Sequence, residues 1–359
     1  MRLLLSIILS TFFITVCAGS RVIVVDNDSG APVGSATVFS RSGSILGMTD
    51  GDGVFTNVSD RDYPLTVKCL GYLDESCASG CDTVRMIATS YELGEVTVST
   101  AERPILHMIC YIREYSGGAT SDDTIQSYAE HMADFYIPLT KVKKFKGRYS
   151  PRILRSRLYE RKTDSSGLDS VYHPDYRRDD ISWIDLISLP EKTVNETDGI
   201  RSGATSDSVA GKYGIKNILR KTGGTYIENV DHLADKKDHS WSPAIFKLLG
   251  MTIEISELRS AWAYQANDSG IYNAADIIYG TFSLDVTGKG RWIKKAFNSS
   301  TPIALHSFFE IYPVESEHLT VDEAKDQIKN NPPKVRMTRS PLAPALPASI
   351  QSIIDRLTK

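Results

Sequence analysis

The feature that most constrains the fold is a series of short apolar segments between residues 21 and 100. Turn sequences rich in Gly, Asp and Ser separate these segments, and within them apolar and polar residues alternate, as at Leu65, Val67 and Cys69. Glycine supplies turn conformations that other residues disfavour, and Asp and Ser side chains bond their own backbone in turns. Two-residue alternation with such frequent turns is typical of an all-β sandwich.

Four short segments of this region carry a family resemblance. They are residues 29–38, 49–55, 70–72 and 93–98, which read SGAPVGSATV, TDGDGVF, LGY and LGEVTV. In this order they resemble the opening, central turn, inner strand and closing strand of carboxypeptidase regulatory-like domains, with Gly94 in place of a more usual acidic residue. The resemblance implies a transthyretin-like sandwich of seven strands without protease chemistry of its own. Such domains are common at the start of exported and outer-membrane proteins of Bacteroidota-type bacteria.

The N-terminal residues have the pattern of a cleavable signal peptide. Arg2 precedes an apolar run over residues 3–16, and Val16 and Ala18 occupy the small-residue positions of a cleavage site. We predict cleavage after Ala18 and a protein of the periplasm, of the outer membrane surface or of the exterior. Cys17 leaves a lipid anchor as an alternative, although Val16 stands where a lipoprotein signal has Gly, Ala or Ser. No later segment is long and apolar enough to predict a transmembrane helix.

Four cysteines follow the predicted cleavage site: Cys69, Cys77, Cys81 and Cys110. An oxidising compartment permits disulfides, and Cys77 and Cys81 flank a short loop that could close into a small bridge. Free buried thiols are the alternative. A zinc site would require a second close pair of ligands, which the sequence lacks.

The region after Thr100 mixes strand and helix patterns. Strand composition recurs at residues 252–255, 261–265, 277–284 and 291–297, and residues 105–111 form an apolar run of either type. The glycines of Gly288-Lys289-Gly290 predict a hairpin turn between Val286 and Trp292.

Three segments have helical signals. Residues 122–136 follow a plausible N-cap at Ser121, and their apolar residues recur at helical spacing up to Pro138. Thr320 and Glu323 form a capping-box pattern for a helix that runs towards Lys329. A short amphipathic helix ends the chain and either docks on the domain or meets a partner.

The predicted fold class is therefore mainly β with some α. The predicted segments are the signal peptide at 1–18, a seven-stranded transthyretin- or Ig-like sandwich at 19–100, a β-rich α+β domain at 101–331, and a proline-rich linker with the terminal helix at 332–359.

A basic run is the strongest charge feature of the chain. Its candidate binding residues are Lys143, Lys144, Lys146, Arg148, Arg152 and Arg155, interleaved with aromatic residues. They could bind an anionic glycan, a lipid phosphate or an acidic partner, or form a solvated face neutralised by nearby aspartates. Export and a formal net charge of −3 argue against nucleic acid.

His232, Asp235 and His239 are the best candidates for a metal site. On a helix their spacing would place all three on one face, which could hold zinc with an open position for water. The alternative is a polar surface segment.

Motifs of nucleophilic hydrolysis and phosphate binding are absent from the sequence: it has no G-x-S-x-G, no H-E-x-x-H and no phosphate-binding glycine loop. A triad assembled by the fold from distant residues stays open. We predict no cofactor and favour a non-enzymatic envelope protein that binds a protein, a peptide or an anionic glycan. A metal-dependent, peptidase-like hydrolase is the alternative.

Overall fold

The computed structural model of the chain describes residues 20–89, 102–120, 123–174, 183–190, 194–195, 206–210, 216–222, 224–248, 250–290, 302–330 and 332–358. The predicted signal peptide, Cys17, the helix cap at Ser121 and the segments 93–98 and 291–297 lie outside these ranges. The predicted fold class, mainly β with some α, is confirmed. No helix in the described ranges is long and apolar enough to cross a membrane.

Seven short strands in two sheets form a sandwich at the start of the described chain. The strands are β1 (Ser20–Asp26), β2 (Thr37–Phe39), β3 (Ile45–Met48), β4 (Val54–Val58), β5 (Leu65–Lys68), β6 (Glu75–Cys77) and β7 (Thr83–Met86). One sheet has the order β4–β1–β7 and the other β3–β2–β5–β6. Alternate apolar residues such as Val22, Val24 and Val67 point between the sheets and are fully buried. A disulfide joins Cys77 and Cys81, whereas Cys69 and Cys110 retain their thiols.

A ten-stranded antiparallel sheet makes up most of the remaining chain. Its order is β11–β10–β9–β8–β19–β18–β16–β15–β14–β13. The strands are β8 (Ile105–Ala119), β9 (Thr124–Pro138), β10 (Arg148–Asp164), β11 (Gly167–His173), β13 (Ser206–Ala210), β14 (Lys216–Thr222), β15 (Thr225–Asp231), β16 (Met251–Gln265), β18 (Ile277–Gly290) and β19 (Ile303–Leu319). Two short strands, β12 (Val194–Asn195) and β17 (Ile271–Tyr272), pair separately.

The two faces of the ten-stranded sheet bury different residues. On β8, Leu106, Met108 and Ile112 point to the inner face, where they join a large apolar core with residues of β9, β16, β18 and β19. The odd-numbered residues of β8, from Ile105 to Tyr115, point to the outer face. Because both faces of β8 are covered, the strand is buried almost throughout its length.

The helix predicted at residues 122–136 is wrong, because this segment is strand β9. Its inner face packs into the core through Ala133 and Phe135, and its outer face buries Tyr128 and Met132 under other parts of the chain. A strand covered on both sides carries apolar residues at odd and even positions alike. Because odd and even positions of β9 both include apolar residues, apolar residues also recur three and four positions apart, as they do in a helix.

The hairpin turn predicted at Gly288-Lys289-Gly290 is also wrong, because these residues end strand β18 and pair with β16. A Cβ atom at Gly290 would lie 2.9 Å from both the carbonyl oxygen of Gly250 and the Cα atom of Met251. This glycine therefore permits close approach of the neighbouring strand.

The described residues include three α-helices, α1 (Ala244–Leu248), α2 (Val321–Lys329) and α3 (Ala348–Leu357). The predicted capping box of α2 is confirmed, since Glu323 N–H donates to Thr320 Oγ1 and Thr320 N–H donates to Glu323 Oε2. The predicted terminal helix is α3, and it docks on the sheet through Ile350 and Ile354.

Substitution of Gly280 by alanine tests the packing between β16 and β18. A Cβ atom at Gly280 would lie 2.3 Å from Cε3 of Trp262, whose side chain is 2% exposed. We expect Gly280→Ala to lower the free energy of unfolding by about 1–3 kcal/mol, because a packed core accommodates an added methyl group only by shifting. Gly117→Ala is the control, since its nearest neighbour would lie 4.0 Å away. Equal stability of the two variants in urea would contradict this packing.

Candidate functional site at the junction of sandwich and sheet

The sandwich rests on the outer face of the ten-stranded sheet. Phe39 packs edge-on against Tyr115 and Phe308, with ring centroids 5.6 and 6.0 Å apart. The backbone N–H of Gly71 donates to the hydroxyl of Tyr279 on β18. These contacts join the two units through both apolar and polar groups.

Beneath the sandwich, four charged residues lie side by side on neighbouring strands. Arg157 on β10 pairs in register with Glu130 on β9, Glu130 with Arg113 on β8, and Arg113 with Glu310 on β19. We call these four residues the charge row. Their signs alternate, which is the arrangement that stabilises directly opposed charges on adjacent strands.

The sandwich adds a fifth charge to this row. Lys68 Nζ lies 3.3 Å from Glu310 Oε1 and also pairs with Asp74. Glu310 further accepts hydrogen bonds from Tyr115, at 2.9 Å, and from Arg113, at 3.4 Å. Burial alone would raise the pKa of Glu310, but Lys68 and Arg113 outweigh it and hold the pKa below its usual value. Glu310 is therefore an ionised centre that binds sandwich to sheet.

The C-terminal segment crosses the same row. Arg339 donates to Glu130 Oε1 through Nε at 3.0 Å, and Arg113 Nη2 donates to the carbonyl of Pro344 at 2.7 Å. Tyr111 and Tyr128 also donate to Glu130. The segment predicted to be a linker thus packs on the sheet, and the charge row fixes both it and the sandwich.

A β-bulge in β16 shapes the edge of this junction. The register with β18 shifts between Ile255, which opposes Val286, and Glu257, which opposes Asp285. Before the bulge Ile255 faces the inner core, whereas after it Glu257 and Arg259 lie on the outer face, towards the sandwich. Bulges of this kind commonly re-aim side chains beside functional sites.

A cavity of about 390 Å³ lies between the sandwich and this part of β16. The sandwich contributes residues 46, 48–50 and 54–57, and the sheet contributes Glu257 and Arg259. We call this cavity the junction pocket. Its volume is within the range of roughly 300–1,000 Å³ that is usual for small-molecule sites.

Two residues beside the junction pocket have left-handed backbone conformations. Asn57, which lines the pocket, has a φ of 66°, and Ser35, which contacts Arg259, has a φ of 61°. Such conformations are uncommon outside glycine and occur often at binding sites.

Among the residues that line the junction pocket, Glu257 has a strongly raised pKa. Burial, and then the nearby charge of Asp285, raise the pKa of Glu257 to about 7. Arg259 and His306 act against this effect, and Asp231 adds to it. Among the described residues the Glu257 carboxyl group has no hydrogen-bond partner. A desolvated carboxyl group in a cavity is a recognised mark of a functional site.

The charged side chains next to Glu257 form hydrogen bonds with other residues. Asp285 Oδ1 lies 2.8 Å from Nδ1 of His306, and this hydrogen bond raises the pKa of His306. Arg259 donates through Nη1 to Ser35 Oγ at 3.1 Å, while its Nε has no partner in the described part of the chain. Sequence analysis missed Glu257, Asp285 and His306, because only strand register brings these distant positions together.

The residues predicted to hold a metal do not share a helix face. Residues 232–236 form turns and a bend, and residues 237–239 form a single 3-10 turn in which His239 has a φ of 51°, so this segment is not the helix on which their spacing would converge. His232 Nε2 lies 2.9 Å from Ser260 Oγ, His239 Nε2 lies 3.0 Å from Asp231 Oδ2, and Asp235 pairs with Lys236. Within the described ranges no three His, Cys, Asp or Glu side chains are placed to hold a metal.

The candidate basic residues occupy two environments. Lys143, Lys144 and Lys146 are exposed in the loop before β10, whereas Arg148, Arg152 and Arg155 are half-buried on β10. Arg152 pairs with Asp134 and donates to the carbonyls of Gln327 and Ile328 at the end of α2. Arg152 is therefore used inside the protein, and glycan binding by the other residues stays a prediction.

A hydrogen-bonded Ser–His–Glu set lies on the inner face of the sheet. Ser156 Oγ is 2.7 Å from His131 Nδ1, and His131 Nε2 is 3.0 Å from Glu114 Oε2. Ser156 is 2% exposed, and His131 and Glu114 are similarly buried. The order serine, histidine, acid is that of a hydrolytic triad, but the two ring nitrogens are exchanged relative to the Ser-His-Asp arrangement and the serine hydroxyl is buried.

Comparisons with known proteins do not place the chain in a family. No protein-family profile and no curated protein matches it. A structure of lipovitellin, titled for its lipid–protein interactions, is 8% identical with a TM-score of 0.28, over 61% of this chain and 26% of its own. A putative AttH from Nitrosomonas europaea is 8% identical with a TM-score of 0.14, over 60% of this chain and 52% of its own. The chain thus spans about a quarter and about half of these proteins, and similarity at this level carries no argument. The carboxypeptidase regulatory-like resemblance stays a prediction.

Proposed function

We propose that this chain is an exported, non-enzymatic binding protein of the cell envelope and that its ligand occupies the junction pocket. The observation that carries the proposal is the unpartnered, desolvated carboxyl group of Glu257 in the wall of a cavity between two rigidly joined units. The charges of Arg259 and His306 offset the desolvation of this group only in part, and a ligand donor would complete the compensation. The signal-peptide pattern of the first residues supports export.

The rigid junction also supports a binding function. Glu310 holds Lys68 of the sandwich, and Arg113 and Glu130 hold the C-terminal segment. Both walls of the junction pocket are therefore held in place before a ligand arrives, which lowers the entropic cost of binding.

The alternative functions have less support from the geometry. The hypothesis of a metal-dependent hydrolase requires His232, Asp235 and His239 as metal ligands. In the structure these side chains contact Ser260, Lys236 and Asp231, respectively. The Ser156 hydroxyl is buried away from substrate. An anionic-glycan surface retains the exposed lysines of the loop before β10, which do not line the junction pocket.

A ligand screen with a blocked pocket tests the proposal. Thr56 lines the junction pocket and is exposed, so Thr56→Trp should fill the pocket without disturbing the fold. Thr83→Trp is the matched control, because Thr83 is an exposed threonine on another strand of the sandwich. We expect at least one compound from a panel of amino acids, short peptides, sugars and anionic glycans to raise the thermal midpoint of the wild type and of Thr83→Trp. The same compound should leave Thr56→Trp unchanged, because ligand binding stabilises only a fold that can bind.

Three results would contradict the proposal. One is the absence of any stabilising compound, and another is equal stabilisation of Thr56→Trp, which would place the ligand elsewhere. The third is labelling of Ser156 by a serine-directed fluorophosphonate, which would indicate a hydrolase.

A further inference from the structure

We infer that the junction pocket binds a free α-amino acid with an apolar side chain, held by both its charged groups. In this arrangement the ligand carboxylate pairs with Arg259, its ammonium group pairs with Glu257, and its side chain lies on the sandwich wall. The inference rests on the proposed function, because it names the ligand class of the same pocket.

The sheet contributes one acidic and one basic side chain to the pocket, Glu257 and Arg259. Glu257 and Arg259 are two residues apart on one strand, so their side chains leave the same face of the sheet. Their Cα atoms are therefore separated by about 6.4–6.8 Å, since a strand rises 3.2–3.4 Å per residue. Flexible side chains of this length can converge on one small ligand that carries both charges.

Arg259 retains donors for a carboxylate. Within the described chain its only hydrogen bond is the one from Nη1 to Ser35. A guanidinium group has five N–H donors in a planar fork that fits a carboxylate. Ser35 holds Nη1 and the Nε atom is buried, so Nη2 is the donor that points to a ligand carboxylate.

Glu257 is the acidic group of the pocket that lacks a partner. Asp285, beside it on β18, is bonded to His306. Asp50, on the sandwich side, accepts hydrogen bonds through Oδ1 from the N–H groups of Asp52 and Val54. A ligand ammonium group would therefore meet Glu257 as a carboxyl group without a hydrogen-bond partner, and its charge would favour the ionised form of this half-buried group.

The opposite wall of the pocket has an apolar part beside the polar residues 49, 50, 56 and 57. Leu46 and Met48 on β3 and Phe55 on β4 line it from the sandwich. A methionine beside an aromatic ring gives an adaptable surface for an aliphatic or thioether side chain. The volume of about 390 Å³ is near the lower end of ligand sites, which favours a single small molecule over a polymer.

Matched analogues separate the two charges of the ligand. We would titrate the purified protein by calorimetry with L-leucine, N-acetyl-L-leucine, L-leucinamide and 4-methylpentanamide, and with L-methionine and L-phenylalanine. N-acetyl-L-leucine lacks the ammonium charge, L-leucinamide lacks the carboxylate, and 4-methylpentanamide lacks both. We expect L-leucine, or one of the other two amino acids with its own analogues, to bind at least about tenfold more tightly than each singly charged analogue.

Two variants assign each charge to its partner. Arg259→Gln should abolish the preference for the amino acid over its amide, and Glu257→Gln should abolish its preference over the N-acetyl analogue. Each variant should keep the preference that the other loses, and thermal unfolding checks that both are folded.

The outcomes also separate this inference from the proposed function. If a singly charged or neutral analogue binds as tightly as the amino acid, the inference fails while the pocket remains a ligand site. The inference also fails, and the pocket again remains a ligand site, if no amino acid binds but another compound stabilises the wild type and not Thr56→Trp. If no compound of either experiment binds, both the inference and the proposed function fail.

Discussion

Replacing Glu310 with alanine is expected to lower the free energy of unfolding by about 3–5 kcal/mol. Glu310 is the acceptor for Lys68 of the sandwich and for Arg113 and Tyr115 of the sheet. Its side chain is 6% exposed, and both cations are 3% exposed. Removing the carboxylate leaves these buried cations without their shared partner, which costs more than loss of an exposed ion pair.

Glu315→Ala is the matched control, because Glu315 lies on the same strand and is exposed. We expect it to change the free energy of unfolding by less than about 0.5 kcal/mol. Urea denaturation of the two variants and the wild type measures the difference. Similar stabilities for Glu310→Ala and Glu315→Ala would contradict a junction held by the charge row.

The contribution of Glu310 also depends on pH. Its pKa is lower in the folded than in the unfolded state, so the unfolded chain binds this proton first as the pH falls. The stabilisation is therefore fully present above the usual glutamate pKa and is lost as the pH falls below it. Glu310→Ala should consequently show its full effect at pH 7 and a smaller effect in strong acid.

Replacing Glu257 with glutamine is expected to have the opposite effect and to stabilise the protein at pH 8. Burial and Asp285 raise the pKa of Glu257 to about 7 from a usual value of 4.5. A difference of this size corresponds to at most about 3 kcal/mol. The folded state holds a proton on Glu257 that the unfolded state has lost, so the stability of the wild type falls as the pH rises from 4.5 to 7. Glutamine removes this penalty.

The effect should disappear as the pH approaches 4.5, where Glu257 is protonated in the folded state and half-protonated in the unfolded state. Unfolding of wild type and Glu257→Gln at a series of pH values measures the difference. Glu254→Gln is the control, because Glu254 is an exposed carboxylate on the same strand. A destabilised Glu257→Gln at pH 8 would show that Glu257 has a structural partner, contrary to the account of the pocket.

Local sequence patterns predicted the sandwich well. Its strands are short, one face of each is buried, and the turns between them carry residues with specific backbone preferences. Leu65 and Val67, which are fully buried, therefore alternate with the polar residues Thr66 and Lys68. The capping box of Thr320 and Glu323 was predictable for the same reason, since every partner lies within one helical turn.

The ten-stranded sheet was less predictable because both faces of its central strands are covered. β9 buries Tyr128 and Met132 on one side and Ala133 and Phe135 on the other, so the two-residue period vanishes. The buried Glu130 lies on the same strand. It is a partner of Arg339, more than 200 positions away. Long-range charge pairing leaves no local signal.

The junction pocket was harder to predict than the sheet, because it depends on a β-bulge and on the packing of the sandwich against the sheet. Glu257 faces the sandwich because of a one-residue bulge after Ile255, and a register shift of one residue reverses every side chain beyond it. Its proximity to Leu46 and Phe55 depends in turn on how the sandwich packs on the sheet.

Hydrogen exchange of the intact chain, with and without saturating amino acid ligand, tests most directly whether sandwich and sheet form one ligand site together. The account predicts that binding slows exchange at the same time in residues 46–57 of the sandwich and in residues 255–259 of β16. Slower exchange in one of these segments alone, or only in the lysine-bearing loop before β10, would contradict it.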